Sequence, residues 1–477
     1  RHHRRTGHRP SDHRPSDHRG AMSTPSPLAS ARRGTELGLV VMAGVITAVA
    51  YTLASLGKNA AIPPIIVPFL IALLGLLIVA HIATRRLARG ADATLLPLVA
   101  LLNGLGYVMI TRLNERLAGL QTTWTLLGVI AYVATLLFVQ RTVDLARYKW
   151  TFFAIGAALL LSPLVPGLGR SFGGARIWVH IGPINFQPGE FAKVALALFF
   201  AGYLAERREL IATNTWRVGP LRLPEPRHLL PILLAWAFAV LVMVGLRDLG
   251  ASLLFFALFV VMLWVATERA SFLVLGGLLF AIAAVTAWKL FDNVQTRVTI
   301  WLDPWPHYQG KGYQIIQSMF SISNGGLGGT GLGLGNPNKI PEVKNDFIFA
   351  AFGEELGLLG STAILVAFLL IIGAGLRIAI RTDRPFEKLL AVGLTTIVGV
   401  QAFIIIGGVI RVVPLTGITL PFVSYGGSSL LANYVLLALL MRTSDATARH
   451  LGEIPDDLTI GERFEARRVL RRGTRTR

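Results

Sequence analysis

Cysteine is absent from the 477 residues, and charged residues make up only 15% of the chain. Without thiols the chain forms no disulfide and no thiolate-ligated metal site. Hydrophobic residues reach 53%, and the mean hydropathy is +0.59. An ordinary soluble globular domain has far more charge and less apolar content, so that class is excluded. The composition is that of an integral membrane protein.

Apolar runs of about 18–22 residues, each long enough to cross a bilayer as a helix, recur along the chain. We place about twelve spans near residues 37–55, 63–82, 93–110, 123–140, 149–166, 190–205, 228–245, 249–266, 271–290, 346–374, 388–410 and 419–441. The sequence therefore predicts an all-α polytopic membrane protein.

The distribution of lysine and arginine predicts the orientation, because basic loops remain on the cytoplasmic side. If the N-terminus is inside, the inner segments carry most of the 46 basic residues. Both termini are therefore expected in the cytoplasm, as a basic tail over residues 1–36, predicted to be disordered, and a basic tail over residues 442–477. We read residues 1–21, which repeat "RPSDH" before the first methionine, as disordered or as sequence upstream of the natural start.

A net charge of +20 can indicate nucleic-acid binding. Much of this charge lies in the two tails, where it can contact anionic lipid headgroups of the inner leaflet. We therefore expect membrane lipids, and no nucleic acid, as partners of these tails.

The segment of residues 291–345 is the longest stretch between spans, and the orientation places it outside. "RVTIWLDPWPHYQGKGYQIIQSMFSISNGG" has amphipathic spacing and predicts a helix at the outer interface. "GGLGGTGLGLGNPNK", residues 325–339, lacks the Lys-Ser or Lys-Thr pair of a phosphate-binding loop. Its glycines instead predict backbone flexibility or the close approach of a ligand.

Three acids accompany the span that follows this loop. Asp346 lies at its outer mouth, and Glu354 lies eight residues further, about 12 Å deeper in the membrane. Helix capping is the simpler reading of Asp346 and the one that the sequence alone favours; a functional carboxylate is the alternative. Glu354 and Glu355 need a protein-lined environment and a partner, because ionisable residues inside a span are costly.

Other ionisable residues lie at the same outer level. Glu190 and Lys193 are three apart at the start of a span, so a structural salt bridge is as good a reading as a functional pair. The remaining members of this outer set are Arg176, Arg247, Asp248 and Arg411. An ion-coupled transporter would place its acids near the midplane. The sequence therefore favours a site that faces outward.

At these residues the chain resembles the SEDS family (shape, elongation, division and sporulation) of bacterial cell-wall proteins. The resemblance rests on "FQPGEFAK", "RDLG", "WLDP" with "GYQIIQS", "NDFIFAAFGEELGLLG" and "PLTGITLPFVSYGGSS", in that order. It covers about residues 93–441 and implies a core of ten helices. The spans within residues 37–92 are additional, as in actinobacterial members that serve elongation.

The resemblance implies a glycosyltransferase that polymerises lipid II outside the bacterial cytoplasmic membrane, together with a class B penicillin-binding protein. The family's essential aspartate corresponds to Asp346, its glutamate and lysine to Glu190 and Lys193, and its "DLG" aspartate to Asp248. Two departures concern Arg176, which is separated from Trp178 by Ile177, and Gly189, which stands where the family commonly has serine.

We assign Asp346 as the general base that takes the proton of the acceptor hydroxyl. The departing pyrophosphate needs positive charge, with or without a divalent cation; no other cofactor is expected. The candidates for this charge are Arg176, Lys193, Arg247, Arg297 and Arg411. Ser424 and Tyr425 complete the expected substrate-binding set, and Glu354 and Glu355 are expected to hold their helix in register. A lipid II flippase and a non-catalytic scaffold for the penicillin-binding protein are the alternatives.

Overall fold

The computed structural model describes residues 27–60, 66–172, 175–181, 184–213, 215–218, 221–224, 226–246 and 248–454. Residues 1–26, residues 455–477 and Arg247 lie outside the described part of the chain. Helix α1 begins at Pro27, ten residues before the predicted start of the first span. The prediction of disorder is therefore wrong for residues 27–36.

The described residues form a bundle of α-helices, as predicted. The helices are α1 Pro27–Asn59, α2 Ile66–Leu87, α3 Leu95–Leu113, α4 Arg116–Phe138, α5 Thr142–Leu145, α6 Lys149–Leu161, α7 Pro188–Thr213, α8 Pro226–Gly245, α9 Leu249–Thr267, α10 Ser271–Leu290, α11 Asp292–Leu302, α12 Tyr313–Gly325, α13 Ile348–Arg381, α14 Pro385–Val409 and α15 Gly427–His450.

Short antiparallel strands, which the sequence did not predict, occupy two connections. Strands β1 Gly169–Phe172, β2 Ala175–Ile181 and β3 Ile184–Phe186 form one sheet between α6 and α7, and β4 Thr215–Val218 pairs with β5 Leu221–Pro224. Such hairpins satisfy the backbone of an extra-membrane loop without adding a domain.

Nine helices within the described residues are long and apolar enough to cross a membrane. The other three predicted spans also coincide with helices, namely α6, α8 and α15. Helix α6 has only 13 residues before a 3₁₀ turn continues it, and α15 carries buried Asn433, Arg442 and Asp445. Each of the twelve predicted spans thus overlaps a helix, of which α6 is shorter and α15 is less apolar than an ordinary span.

The two N-terminal helices pack directly on the core. Helix α1 lies against α3, and α2 lies against α1 and α4. Gly104 of α3 makes the first contact possible, because a Cβ there would lie 2.1 Å from the Thr47 hydroxyl. Small residues allow close approach between helices in a membrane, where packing replaces the hydrophobic effect. Helices α1 and α2 are therefore part of one bundle with the core.

Helix α13 is broken at Gly357, whose φ of +66° is a conformation that favours glycine. The glycine-rich segment of residues 325–336 crosses the break. The amides of Leu358 and Leu359 donate to Gly326 and Leu327, at 2.9 and 3.1 Å, and Thr330 donates to the Glu354 carbonyl at 2.9 Å. These bonds satisfy backbone groups that the break removes from the helix ladder, as burial within the protein requires.

The sequence predicted flexibility or the close approach of a ligand at these glycines, whereas the structure shows them in close approach to helix backbone. A Cβ at Gly329 would lie 2.2 Å from the Glu355 carbonyl oxygen, and a Cβ at Gly333 would lie 2.3 Å from the Ala54 carbonyl oxygen of α1. The segment is therefore held between α1 and the break in α13.

The carboxylates of Glu354 and Glu355 bind the same segment. Glu354 accepts from the Asn336 amide at 2.7 Å, and Glu355 accepts from the Gly333 amide at 3.0 Å. Glu355 also forms an ion pair with Arg112 of α3, with 2.5 Å between Oε1 and Nε. Their predicted role in holding the helix thus has specific partners, of which Arg112 was not foreseen.

Candidate functional site

Asp346 lies two residues before helix α13 and does not cap it. The capping position belongs to Phe347, and no side chain accepts a hydrogen bond from the first turn. The capping interpretation is therefore wrong. Asp346 remains partly exposed, while the next residue, Phe347, is fully buried and anchors the start of the helix. The aspartate carboxylate is thus held at a rigid helix entrance without being used as its cap.

Arg297 of α11 faces Asp346 across Gly417. A Cβ on Gly417 would lie 3.9 Å from Arg297 Nη2 and 3.9 Å from Asp346 Oδ2. Arg297 is oriented by its other amino group, which donates to the Leu415 carbonyl at 2.8 Å. Gly417 is exposed, so the space between the carboxylate and the guanidinium is open.

Burial raises the pKa of Asp346 to about 6. The hydrogen bond from its own amide opposes this shift, the charge of Glu342 adds to it, and the charge of Arg297 opposes it. A carboxyl with such a pKa is mostly ionised at neutral pH, yet more basic than an ordinary aspartate. This combination suits a general base.

Asp248 is the second carboxylate near Arg297. It caps helix α9 by accepting from the Ala251 amide at 2.9 Å. Burial raises its pKa, the Ala251 hydrogen bond lowers it, and Glu190 raises it, while Lys193 and Arg297 lower it. Burial likewise lowers the pKa of Arg297, which the charges of Asp248 and Asp346 raise. Arg297 therefore interacts with both aspartates.

Glu190 and Lys193 form a salt bridge, one of the two interpretations that their spacing left open. The Lys193 ammonium lies 2.8 Å from Glu190 Oε2 and 2.8 Å from Gln401 Oε1. Gln401 in turn donates to the Thr419 carbonyl at 2.8 Å, which joins α7 and α14 to the segment containing Gly417. The ammonium has three donors, and these contacts use two of them.

Residues 414–429, the second glycine-containing segment, hold the backbone before Asp346. The Ser424 hydroxyl donates to the Asn345 carbonyl and accepts from the Leu420 amide at 2.9 Å. The Tyr425 amide donates to the Lys344 carbonyl at 2.9 Å. Within the described residues, these contacts give Ser424 and Tyr425 a positioning role beside Asp346; their binding of substrate stays a prediction.

Arg411 binds the C-terminal carbonyls of α11, the helix that carries Arg297. Its Nη2 donates to the Trp301 carbonyl at 2.7 Å and to the Leu302 carbonyl at 3.1 Å, and the Trp301 indole returns a bond of 3.0 Å to the Arg411 carbonyl. Cations at a helix C-terminus satisfy its free carbonyls. The structure therefore gives Arg411 a role in placing α11, in addition to the predicted contact with substrate.

Arg176 lies on β2, and its amide donates to the Leu246 carbonyl at 3.2 Å, two residues before Asp248. Its guanidinium lies beside Gly169, because a Cβ on Gly169 would lie 2.9 Å from Arg176 Nε. Among the described residues, no group of three or more His, Cys, Asp or Glu side chains could hold a metal ion.

We expect Gly417→Ala to reduce the activity of this site without unfolding the protein. The φ of +77° disfavours alanine by about 1–2 kcal/mol, and the new methyl group would enter the space shared by Asp346 and Arg297. Turnover and thermal stability should be measured together with Gly452→Ala, which has a φ of +69° and open space around it at the other end of the bundle. Equal effects of both changes on turnover would contradict this expectation.

Comparisons with known proteins agree with the resemblance. Residues 91–449 match the cell cycle protein family of FtsW, RodA and SpoVE. The peptidoglycan glycosyltransferase RodA of Mycobacterium tuberculosis is 44% identical over 446 residues, which are 91% of this chain and 94% of that protein.

Two solved structures share the fold. One, described as a peptidoglycan synthase complex that coordinates polymerisation and crosslinking, has a chain 29% identical, with a TM-score of 0.61 over 77% of this chain and 99% of that one. The rod shape determining protein RodA of Thermus thermophilus is 26% identical, with a TM-score of 0.54 over 77% of this chain and 98% of that one. The chain belongs to the FtsW, RodA and SpoVE family, and its predicted membership of that family is confirmed.

Proposed function

We propose that this protein is a peptidoglycan glycosyltransferase that polymerises lipid II into glycan strands for cell elongation. The observation that carries the proposal is the open space at Gly417, where a Cβ would lie 3.9 Å from both the Arg297 guanidinium and the Asp346 carboxylate, together with the charge interaction of Arg297 with Asp248. A raised carboxyl pKa next to fixed cations provides a base and a place for a departing anion. The relatives named as peptidoglycan glycosyltransferases support the same activity.

The chemistry divides between the acid and the cations. The 4-hydroxyl of the acceptor sugar attacks the anomeric carbon of the donor and loses its proton to the Asp346 carboxylate. A new glycosidic C–O bond forms, and the bond from the anomeric carbon to the polyprenyl pyrophosphate breaks. Arg297 and the free donor of Lys193 stabilise the negative charge that develops on the leaving pyrophosphate. Asp248 fixes Arg297 by its charge while it caps α9.

The side of the membrane that the site faces follows from the distribution of lysine and arginine. The end of the bundle with Asp346 faces outward, and the opposite end, with both termini, faces the cytoplasm. Residues 93–441 form the catalytic core, and α1 and α2 are additional. The partner is a class B penicillin-binding protein; the structural relative described as coordinating polymerisation and crosslinking supports this assignment.

Purified protein incubated with lipid II, alone and with its penicillin-binding partner, tests the activity. We expect glycan polymer, resolved by length on a gel. If no polymer forms in either preparation while labelled lipid II crosses proteoliposome bilayers, the flippase alternative holds instead. If neither occurs but the partner still binds, the scaffold alternative holds.

The rate of polymerisation should rise with pH through about 6 and level off above it. The base is active only when ionised, and the raised pKa of Asp346 places its protonation near pH 6 rather than near 4. Initial rates between pH 4.5 and 8, with lipid II near saturation, measure this profile. A rate that stays constant down to pH 4.5 would rule out a base with a raised pKa.

A further inference from the structure

A cavity of about 330 Å³ lies at the end of the bundle opposite Asp346. It is bounded by the last turns of α13, the end of α15, the start of α1 and the turn between α2 and α3. Arg377 and Arg381 line one side, and Ala93 and Thr94 line another. The cavity is large enough for a small polar group.

The two arginines present guanidinium groups one helical turn apart on the same face of α13. Arg381 forms an ion pair with Glu453. Arg377 is exposed and forms no hydrogen bond or ion pair with another residue of the described part of the chain. Five N–H donors in a planar fork match the oxygens of a phosphate group. Arg377 therefore offers unused donors to an anion in the cavity.

The start of α3 opens into the same cavity. This helix of 19 residues has Thr94 at the capping position, and the Thr94 side chain makes no capping hydrogen bond. Its first amides and its dipole therefore favour a negative charge there. The nearby Asp92 carboxylate is already engaged in its own turn, where it accepts from the Thr94 amide at 2.8 Å and from the Thr94 hydroxyl.

The depth of the cavity matches a lipid headgroup. Arg377 lies in the last turns of α13, four residues before the helix ends at Arg381. In the orientation proposed above, the cavity therefore opens at the inner leaflet, where anionic phospholipids are concentrated.

We propose that this cavity binds the phosphate of an anionic phospholipid headgroup of the inner leaflet. The lipid phosphate bridges Arg377 of α13 and the N-terminus of α3. It links the turn that joins α2 to α3 with the ends of α13 and α15. The inference rests on the proposed orientation and is independent of catalysis at Asp346. Anionic lipid should therefore stabilise the folded protein in proportion to its occupancy.

Native mass spectrometry of the detergent-purified protein tests the proposal with phosphatidylglycerol, phosphatidylcholine and inorganic phosphate as probes. We expect one phosphatidylglycerol to be retained in preference to phosphatidylcholine. Arg377→Ala should weaken its binding about tenfold, as expected for the loss of a charge-assisted contact. Arg86 is an exposed arginine in the last turn of α2, near the cavity but not lining it. Arg86→Ala should therefore bind phosphatidylglycerol as the wild type does.

Ala93→Leu provides a second variant, because it narrows the cavity without removing charge. It should also weaken binding of phosphatidylglycerol, and Arg377→Lys should restore part of what Arg377→Ala loses. Equal retention of phosphatidylglycerol by wild type, Arg377→Ala and Ala93→Leu would overturn the proposal. Saturation by inorganic phosphate at the same affinity as phosphatidylglycerol would also overturn it, because the acyl chains and membrane depth would then contribute nothing. Lipid retention is measured without turnover, so failure of the proposed activity would leave this result interpretable.

Discussion

Asp346→Asn is expected to lower the rate of glycan polymerisation from lipid II by about 10²–10⁴-fold, the usual contribution of a general base. The amide is nearly the same size as the carboxylate but cannot take the hydroxyl proton. Asp346 does not cap α13, and it is partly exposed, so the change removes no bond that starts the helix. Expression, thermal stability and binding of the penicillin-binding partner should therefore stay at wild-type levels.

Asp292→Asn is the matched control for this change. Asp292 is exposed in the first turn of α11, the same helix that carries Arg297, and the substitution removes the same charge. The control should polymerise at a rate within about twofold of wild type, since surface electrostatic effects are small and screened by salt. Full activity of Asp346→Asn, with the protein folded, would remove Asp346 from the mechanism.

Arg112→Ala is expected to destabilise the folded protein by about 3–5 kcal/mol. The change leaves the Glu355 carboxylate, which is 1% exposed, without the cation that neutralises it. It also removes the donor to the Gly335 carbonyl, which helps to hold the glycine-rich segment across the break in α13. Because that segment supports the half of α13 that follows Asp346, polymerisation should fall as well. Thermal unfolding in detergent and polymer yield per folded molecule measure the two effects.

Arg116→Ala, four residues later at the exposed start of α4, should leave stability near that of wild type. The double variant Arg112→Met with Glu355→Gln should recover part of the lost stability, because the unpaired charge is then absent. If Arg112→Ala unfolds at the wild-type temperature, the ion pair does not hold the broken helix, and the glycine contacts alone must do so.

Local patterns were sufficient for the helices and for one ion pair near their outer ends. Apolar runs placed a helix at all twelve predicted positions, since each span must satisfy its own backbone in a membrane. The spacing of Glu190 and Lys193 identified a salt bridge as one of two possibilities, and it forms because both residues lie on one helix face. The same local reasoning failed for Asp346, because whether a residue caps a helix depends on where the first turn begins. In α13 the capping position is Phe347.

Contacts between distant segments could not be foreseen in this way. No sequence pattern relates Arg112 to Glu355, 243 positions later, or Arg297 to Gly417, because such pairs form only when several helices pack together. The glycines of residues 325–336 signalled a close approach but not its partner, which proved to be the broken helix α13.

The sequence by itself therefore determined the class of protein, the helices and the family. Hydrophobicity and charge act locally, and each residue carries them in any conformation. Only the tertiary structure decided that Asp346 does not cap α13 and that Arg297 interacts with both aspartates. It also decided that Arg112 of α3 neutralises the charge of Glu355. These are properties of distance and burial, and they exist only once the helices have packed.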